Sequence, residues 1–250
     1  MPKRWGFFYF IMRYIYGPVA SRRLGVSLGV SLTPHKTCPF DCVYCQLGAT
    51  TDKTSERAAY VPSADIIAEV KAWIEANPDQ LKTLAFITLA GAGEPTLHSG
   101  IASIIAQIQK IASVPVAVIT NACLLTDAAV RRDLLQADLI VPSLDAASAE
   151  VFARIDRPLS GVKIDDIIEG LAGLRREYRG RIWLEIMLVK GFNDDIRHIR
   201  KLKEAIERIN PDKIQLTSPV RSTTEKDIEP VDEAKLKHIQ ELFGEKAQII

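Results

Sequence analysis

Apolar runs and amphipathic stretches alternate along most of this chain. Short, nearly continuous apolar runs are typical of strands buried on both faces, and apolar residues at three- and four-residue spacing are typical of covering helices. The runs predict strands at 25–32, 84–90, 114–120, 139–143, 181–189 and 213–217. The amphipathic stretches predict helices at 64–76 after an N-cap at Ser63, 101–112, 126–135 with Thr126 as cap, 163–178, 195–209 and 231–243.

The alternation predicts an α/β fold in which helices cover a parallel six-stranded sheet. Six β/α units are two fewer than a closed eight-unit barrel contains, so we expect a partial (β/α)6 TIM-type barrel with an open mouth. Functional groups in such barrels lie at the carboxyl ends of the strands. The last residues, Gln248-Ile249-Ile250, are apolar and predict the start of a seventh element, as in a truncated or minimal form of something longer.

The N-terminal residues 1–15 are predicted to be an extension, and residues 16–250 a single partial-barrel domain. The extension is basic and then apolar, but the apolar run is too short to span a membrane and no small-residue cleavage site follows it. Translation from Met12 is an alternative that would make the preceding residues spurious. We expect a cytoplasmic protein without a membrane segment.

The composition excludes several classes of protein. The chain has 250 residues, of which 47% are hydrophobic and 25% charged, and its net charge is +1. Such a balance gives no global basic field for nucleic acid, although the Arg22-Arg23 pair lies close before a cysteine-rich loop. Four cysteines in a chain of this length do not form a disulfide framework, so closely spaced ones indicate metal binding in a reducing compartment.

Three cysteines fall within eight residues, at Cys38, Cys42 and Cys45, with the spacing C-x3-C-x2-C. A structural zinc site needs four ligands, and His35 is the nearby candidate for a fourth. A cubane iron–sulfur cluster with three thiolates keeps one iron open to an outside ligand, and the spacing favours this reading. The remaining Cys123 is far along the chain, and we expect it to be a small buried hydrophobe.

Polar residues also mark the ends of the predicted strands, which implies one shared site. They are Gly93 and Glu94 after the second strand, Thr120 and Asn121 after the third, Ser143 and Asp145 after the fourth, Glu185 on the fifth and Gln215 on the sixth. Glycine at a strand end allows a close backbone approach to a ligand, and the Glu94 carboxylate suits an ammonium group. Helix capping and outward salt bridges are the structural alternatives.

The cysteine spacing, with aromatic Tyr44 before the last cysteine, resembles the motif of radical S-adenosylmethionine enzymes. Within that superfamily, Tyr16-Gly17-Pro18-Val19 and segments 21–25, 42–48 and 93–97 resemble a subgroup of iron–sulfur oxidoreductases related to wyosine-tRNA synthesis enzymes. The superfamily has a partial (β/α)6 barrel, and the resemblance covers nearly the whole chain. Ala92 departs from the family's usual Gly-Gly-Glu-Pro segment.

The resemblance implies a [4Fe–4S] cluster on Cys38, Cys42 and Cys45, with S-adenosylmethionine bound at the open iron. One electron would cleave the cofactor to methionine and a 5′-deoxyadenosyl radical, which would abstract hydrogen from a substrate. Tyr44 would pack near the adenine, and Gly93 and Glu94 would meet the methionine amino group. The remaining cofactor contacts are expected from the strand-end residues Thr120, Asn121, Ser143, Asp145, Glu185 and Gln215.

The substrate is left open between tRNA, a peptide and a small metabolite. The expected partners are this substrate and an electron donor such as flavodoxin or ferredoxin. An alternative from another class is a non-catalytic iron–sulfur electron carrier or a zinc-binding protein. An electron carrier has no need of a cofactor pocket, so the strand-end residues favour the enzyme.

Overall fold

The computed structural model describes residues 13–220 and 223–250. Its strands are β1 (Ile15–Ser21), β2 (Gly25–Val30), β3 (Thr37–Cys38), β4 (Asp52–Lys53), β5 (Phe86–Leu89), β6 (Val116–Thr120), β7 (Leu139–Pro142), β8 (Arg181–Met187), β9 (Lys213–Thr217) and β10 (Ala247–Ile249). Its helices are α1 (Ser63–Ala76), α2 (Pro78–Leu81), α3 (Ile101–Ile111), α4 (Ala128–Leu134), α5 (Ala149–Ile155), α6 (Ile164–Glu177), α7 (Ile196–Ile209) and α8 (Glu233–Phe243). In these two ranges no helix has the length and apolarity needed to cross a membrane.

One curled sheet of eight strands organises the molecule, in the order β1-β2-β5-β6-β7-β8-β9-β10. Strand β1 runs antiparallel to β2, and all other neighbours in the sheet are parallel. The main core joins alternate strand residues such as Ile87 and Val118 to helix residues such as Ile105 and Leu171. Helices therefore cover one face of the sheet, and the predicted partial TIM-type barrel is confirmed.

The sheet has two more strands than predicted. Strand β1 lacks a continuous apolar run because Gly17 and Pro18 interrupt it, so its sequence does not resemble a buried strand. It begins at Ile15, the last residue of the predicted extension, while residues 1–12 lie outside the described parts. Strand β10 is the seventh parallel strand, and it confirms the element predicted from the apolar end of the chain.

Two predicted helix caps were wrong by one residue. Helix α1 begins at Ser63 itself, so Pro62 is the N-cap and no side chain caps this end. Helix α4 is capped by Asp127 rather than Thr126, because the Asp127 Oδ1 accepts a hydrogen bond of 2.7 Å from the Ala129 amide. Aspartate and threonine are both favoured caps, which is why adjacent candidates could not be separated by residue type.

The inner face of the sheet is filled near the amino ends of the strands. Leu24, which precedes β2, packs there with the lumen-facing residues Phe86, Ala117, Leu139 and Val141. Apolar layers of this kind fill barrel interiors and leave polar groups to the opposite end. The functional groups are therefore restricted to the middle of the lumen and its carboxyl-end rim.

The turn between β1 and β2 connects the two edges of the sheet. The Arg22 Nη1 donates to the Ile250 carbonyl at 3.1 Å, directly after the opposite edge strand β10. The Arg23 Nε donates to the Glu185 Oε1 on β8 at 2.6 Å, and the Gln215 Nε2 on β9 donates to the Arg23 carbonyl at 2.9 Å. These contacts require the sheet to curl back on itself, so the hairpin turn closes its open side.

Helix α7 buries a histidine whose ring carries no hydrogen bond. His198 is 5% exposed, and neither ring nitrogen finds a partner among residues 13–220 and 223–250. Burial lowers the pKa of the imidazole, because the charged form loses its hydration. The unfolded chain therefore takes up a proton at this position at a higher pH than the folded one does.

We expect His198→Leu to flatten the pH dependence of stability. In the wild type the folded protein keeps this imidazole neutral. Below the unfolded-state pKa of about 6.5 the unfolded chain binds a proton there, so the free energy of unfolding falls as the pH is lowered. Denaturant unfolding at pH 7.5, 6.5 and 5.5 measures the slope. His238→Gln, an exposed histidine on α8, is the control that should keep the wild-type slope. Identical slopes in His198→Leu and the wild type would contradict this role of burial.

Candidate metal and cofactor site

The three clustered cysteines lie on one loop that begins in β3. All are free thiols and half-buried, and the Cys45 amide donates to the Cys42 carbonyl at 3.1 Å. The Cys42 Sγ donates to the Asp156 Oδ1 at 3.4 Å, and the Asn121 Nδ2 donates to the Cys38 Sγ at 3.4 Å. As these side chains stand, no three His, Cys, Asp or Glu residues in the described ranges are grouped to hold a metal.

The environment of these thiols favours their protonated form in the absence of a metal. Burial raises the pKa of Cys38 to about 12, with a further contribution from the nearby Glu94 carboxylate, while the Lys36 ammonium opposes the shift. Burial likewise raises the pKa of Cys42 well above its ordinary value, assisted by the carboxylate of Asp156. A thiol ligand must lose its proton, so metal binding here would be coupled to proton release.

The cysteine loop is fastened on its own side by Lys36 and Thr50. The buried Lys36 Nζ donates to the Gly48 carbonyl at 2.6 Å. The Thr50 Oγ1 donates to the Phe40 carbonyl at 2.6 Å, and the Thr50 amide donates to the Asp41 Oδ1 at 2.7 Å. These bonds close the loop around its cysteines and fix the backbone on which the thiols are carried.

A second clasp on the cysteine loop comes from the segment between β9 and α8. The Thr224 Oγ1 donates to the Cys45 carbonyl at 2.9 Å, and the Glu225 amide donates to the Val43 carbonyl at 3.2 Å. The Glu225 carboxylate also pairs with Arg157 at 2.6 Å. No local sequence pattern predicts this clasp, because 179 positions separate Thr224 from Cys45.

Glu94 joins the ends of two strands beside the cysteine loop. Its carboxylate is 3% exposed and accepts hydrogen bonds from the Thr96 amide at 3.1 Å, the Thr96 and Thr120 hydroxyls at 2.6 Å each, and the Asn121 amide at 2.8 Å. Burial raises the pKa of Glu94, and the hydrogen bonds oppose that shift. Glu94 thus holds Thr120 and Asn121 at the rim, next to Cys38.

Gly93 permits a close backbone contact between the strand end and the cysteine loop. A Cβ atom at this position would lie 1.9 Å from the Thr37 carbonyl oxygen. That same oxygen accepts a hydrogen bond of 3.0 Å from the Glu94 amide. Only glycine fits here, because any side chain would separate β3 from the segment that carries Glu94.

A buried acidic pocket lies beside Tyr44. The Tyr44 hydroxyl donates to the Asp145 Oδ2, and the Met187 amide donates to the Asp145 Oδ1 at 2.7 Å. Burial raises the pKa of Asp145 to about 7, and burial also raises the pKa of Asp156. The pocket has a volume of about 40 Å³ and is lined by Phe40, Tyr44, Asn121, Ser143, Leu144, Asp145, Phe152, Asp156, Ile164 and Ile167.

The structure brings most of the residues predicted for the cofactor to this rim. Tyr44, Asn121, Ser143 and Asp145 line the pocket, while Glu94 binds Thr120 and the Asn121 amide. Glu185 and Gln215 lie deeper in the lumen and contact the hairpin turn instead. His35 is exposed, whereas Cys123 is 5% exposed and packs in the main core. Asp156 was not predicted from the sequence, because it directly follows α5 and belongs to no recognisable motif.

The model of the radical SAM superfamily matches residues 32–203, which is more than half of the chain. The chain belongs to the radical SAM superfamily. The match contains the cysteine loop, Glu94 and the rim residues as far as Glu185. This radical SAM protein is therefore an enzyme, as the sequence predicted, and the superfamily's chemistry implies an iron–sulfur cluster and S-adenosylmethionine.

Two curated relatives resemble the radical SAM chain over 235 residues. A UPF0026 protein of Methanocaldococcus jannaschii is 34% identical over 94% of this chain and 72% of its own length. A protein of Brachyspira hyodysenteriae named GTPase Obg is 37% identical over 94% of this chain and 34% of its own length. The chain thus spans about a third of the second relative, and the GTPase name describes that protein.

Three solved radical SAM structures share the fold at low sequence identity. A radical SAM methyltransferase from Sphaerobacter thermophilus matches 90% of this chain and 65% of its own, with a TM-score of 0.69 and 17% identity. Streptococcus suis SuiB bound to S-adenosylmethionine matches 89% of this chain and 49% of its own, with a TM-score of 0.64 and 16% identity. Archaeal TYW1 matches 88% of this chain and 72% of its own, with a TM-score of 0.58 and 18% identity. These likenesses establish the radical SAM fold of the chain.

We expect Gly93→Ala to destabilise the radical SAM fold by about 1–3 kcal/mol, because the added methyl group overlaps the Thr37 carbonyl. Denaturant unfolding measures the loss. Gly173→Ala on α6 is the control, since the nearest atoms to its Cβ would be those of the Arg131 side chain at 3.3 Å rather than backbone atoms at 1.9 Å. A Gly93→Ala protein as stable as the control would refute the close approach.

Thr224→Val should weaken the clasp on the cysteine loop by about 1 kcal/mol, because the Cys45 carbonyl loses its hydroxyl donor. Urea unfolding and the rate of thiol labelling in the metal-free protein report the change. The matched control is Thr83→Val. The Thr83 hydroxyl donates to the Gln80 carbonyl in an exposed turn, so its loss should lower the free energy of unfolding by no more than about 0.5 kcal/mol. Equal effects of the two substitutions would argue against a clasp.

Proposed function

We propose that this enzyme reductively cleaves S-adenosylmethionine at a [4Fe–4S] cluster held by Cys38, Cys42 and Cys45. The observation that carries the proposal is three free thiols on one loop, directly beside the rim formed by Glu94 and Asn121. The donor set fits the cluster, because three thiolates bind three irons and leave the fourth accessible. Membership of the superfamily supports the same assignment.

The bound cluster would supply one electron to cleave the cofactor into methionine and a 5′-deoxyadenosyl radical that takes hydrogen from the substrate. The chain's own residues bind and orient. The acidic pocket beside Tyr44 offers Ser143 and Asp145 to polar groups of the cofactor, and Asn121 lies between that pocket and Cys38. Glu94 positions Asn121 by accepting a hydrogen bond from its amide, and Gly93 allows this segment to approach the Thr37 carbonyl closely.

Several finer assignments belong to the same proposal. The one-electron reduction of S-adenosylmethionine is the oxidoreductase step, and the cluster requires an electron donor such as flavodoxin or ferredoxin to supply that electron. The free cysteines favour a reducing compartment, which supports a cytoplasmic location. We propose residues 16–250 as the catalytic domain, with cofactor contacts at Tyr44, Gly93, Glu94, Thr120, Asn121, Ser143 and Asp145. Glu185 and Gln215 lie deeper in the lumen, where both are hydrogen-bonded to Arg23.

The substrate class we propose is tRNA, which the enzyme would modify. The resemblance to the wyosine-related subgroup and the fold shared with TYW1 support it. SuiB, which has the same fold, was solved with a precursor peptide, so the fold alone does not select the substrate. A non-catalytic electron carrier or zinc protein would have no use for the buried polar groups that line the rim.

Single Cys→Ala substitutions at positions 38, 42 and 45 should each abolish 5′-deoxyadenosine formation after anaerobic reconstitution and reduction. The wild type should bind about four iron atoms per chain, and each variant clearly fewer, because a thiolate ligand is lost. Cys123→Ala is the control, since this buried thiol lies outside the loop and should leave both readouts intact. A wild-type protein with a complete, reduced cluster that forms no 5′-deoxyadenosine would overturn the proposal.

A further inference from the structure

An aromatic side chain lies flat in the lumen on a backbone that has no side chain beneath it. Tyr16 on β1 pairs with Gly29 on β2, and a Cβ on Gly29 would lie 2.0 Å from the Tyr16 Cζ. The neighbouring residues Leu28 and Val30 face the helix-covered core, so Gly29 and Tyr16 face the lumen. Tyr16 is 40% exposed, which leaves part of the ring open to a ligand.

Tyr16 lies next to the strand end that leads to the cofactor rim. A Cβ on Gly91 would be 3.2 Å from the Tyr16 Cε1, and Gly91 is followed two residues later by Gly93 and then by Glu94. The ring therefore lies against the strand end that leads to Gly93 and Glu94.

Hydrogen-bonding groups on β8 and β9 face the same lumen as Tyr16, because the neighbours of Glu185 and Gln215 along each strand face the outer core. Arg23 donates from Nε and Nη2 to the Glu185 Oε1 at 2.6 Å, so the Glu185 Oε2 is free of Arg23. The Arg23 side chain is 33% exposed; burial raises the pKa of Tyr16, and the Arg23 charge opposes that rise. The pair is neutral as a whole and offers both a donor and an acceptor.

One buried acceptor in this layer has no donor. Gln215 is 2% exposed, and its Nε2 donates to the Arg23 carbonyl, which can only accept. The amide orientation is therefore fixed, and the Oε1 is left without a hydrogen bond from any residue in the two described ranges. Gln215 lies on the lumen face, because the adjacent Ile214 and Leu216 face the outer core. Such an acceptor is matched to a ligand N–H or O–H.

We propose that this layer binds a nucleobase, stacked on Tyr16 with its N–H edge towards Gln215 and Glu185. The inference rests on the proposed radical function and deepens it by naming the substrate group. A planar heteroaromatic ring uses the exposed aromatic face, and its edge combines donors with acceptors as the Arg23–Glu185 pair and Gln215 require. An anionic group would meet Glu185, and an aliphatic one would leave Gln215 unpaired.

Saturation-transfer NMR with the anaerobically reconstituted, S-adenosylmethionine-bound protein tests the proposal. The probes are guanosine, adenosine, cytidine and uridine, a single-stranded oligoribonucleotide and the dipeptide glycylglycine. Binding of at least one nucleoside is expected, with affinity at least tenfold weaker in Tyr16→Leu and within threefold of wild type in Tyr16→Phe, which keeps the ring. Gln215→Leu should lower the affinity for the preferred base at least fivefold. Tyr60→Leu, at a half-buried tyrosine whose hydroxyl donates to the Glu56 carbonyl, is the matched control and should bind as the wild type does.

The oligoribonucleotide arm separates a base within RNA from a free nucleoside. The proposal is overturned if no nucleoside or oligoribonucleotide binds, if glycylglycine binds instead, or if both Tyr16→Leu and Gln215→Leu keep wild-type affinity. Should Tyr16→Leu fail to fold, Gln215→Leu alone decides. Formation of 5′-deoxyadenosine by the wild type is measured separately, so failure of the radical chemistry is distinguishable from failure of base binding.

Discussion

The buried Glu94 carboxylate is the interaction on which the site depends. It accepts four hydrogen bonds from Thr96, Thr120 and Asn121, and its own amide is bonded to Thr37 in the strand that leads to Cys38. A buried carboxylate is costly unless every lone pair has a donor, so these partners cannot move independently. One side chain therefore fixes the ends of β5 and β6 against the cysteine loop.

The rest of the molecule arranges two chemically different spaces around that fixed point. On one side the acidic pocket beside Tyr44 contains Asp145 and Asp156 and reaches the cysteines through Cys42. On the other side the hairpin turn inserts Arg23 into the lumen, where it neutralises Glu185. The first space suits the cofactor and the second the substrate, and Glu94 lies at the rim beside Cys38, where the cofactor is proposed to bind.

The sequence predicted much of the fold and of the rim, because both depend on local patterns. Apolar runs mark the parallel strands, and polar residues directly after them meet at one edge of the sheet. Strand β1 escaped because Gly17-Pro18 breaks its pattern. The Arg23–Glu185 pair spans 162 positions, and such a contact follows from the curl of the sheet rather than from any motif. Asp156 was hidden for the same reason.

Electron–nuclear double resonance on the reduced, reconstituted protein reports whether S-adenosylmethionine binds the open iron of the cluster. S-adenosylmethionine labelled with ¹⁵N at its amino group would be bound to the protein whose cluster is ligated by Cys38, Cys42 and Cys45. The account predicts a ¹⁵N coupling to the cluster, because three thiolates leave one iron for the cofactor. An intact, reduced cluster with no ¹⁵N coupling at saturating cofactor would contradict it.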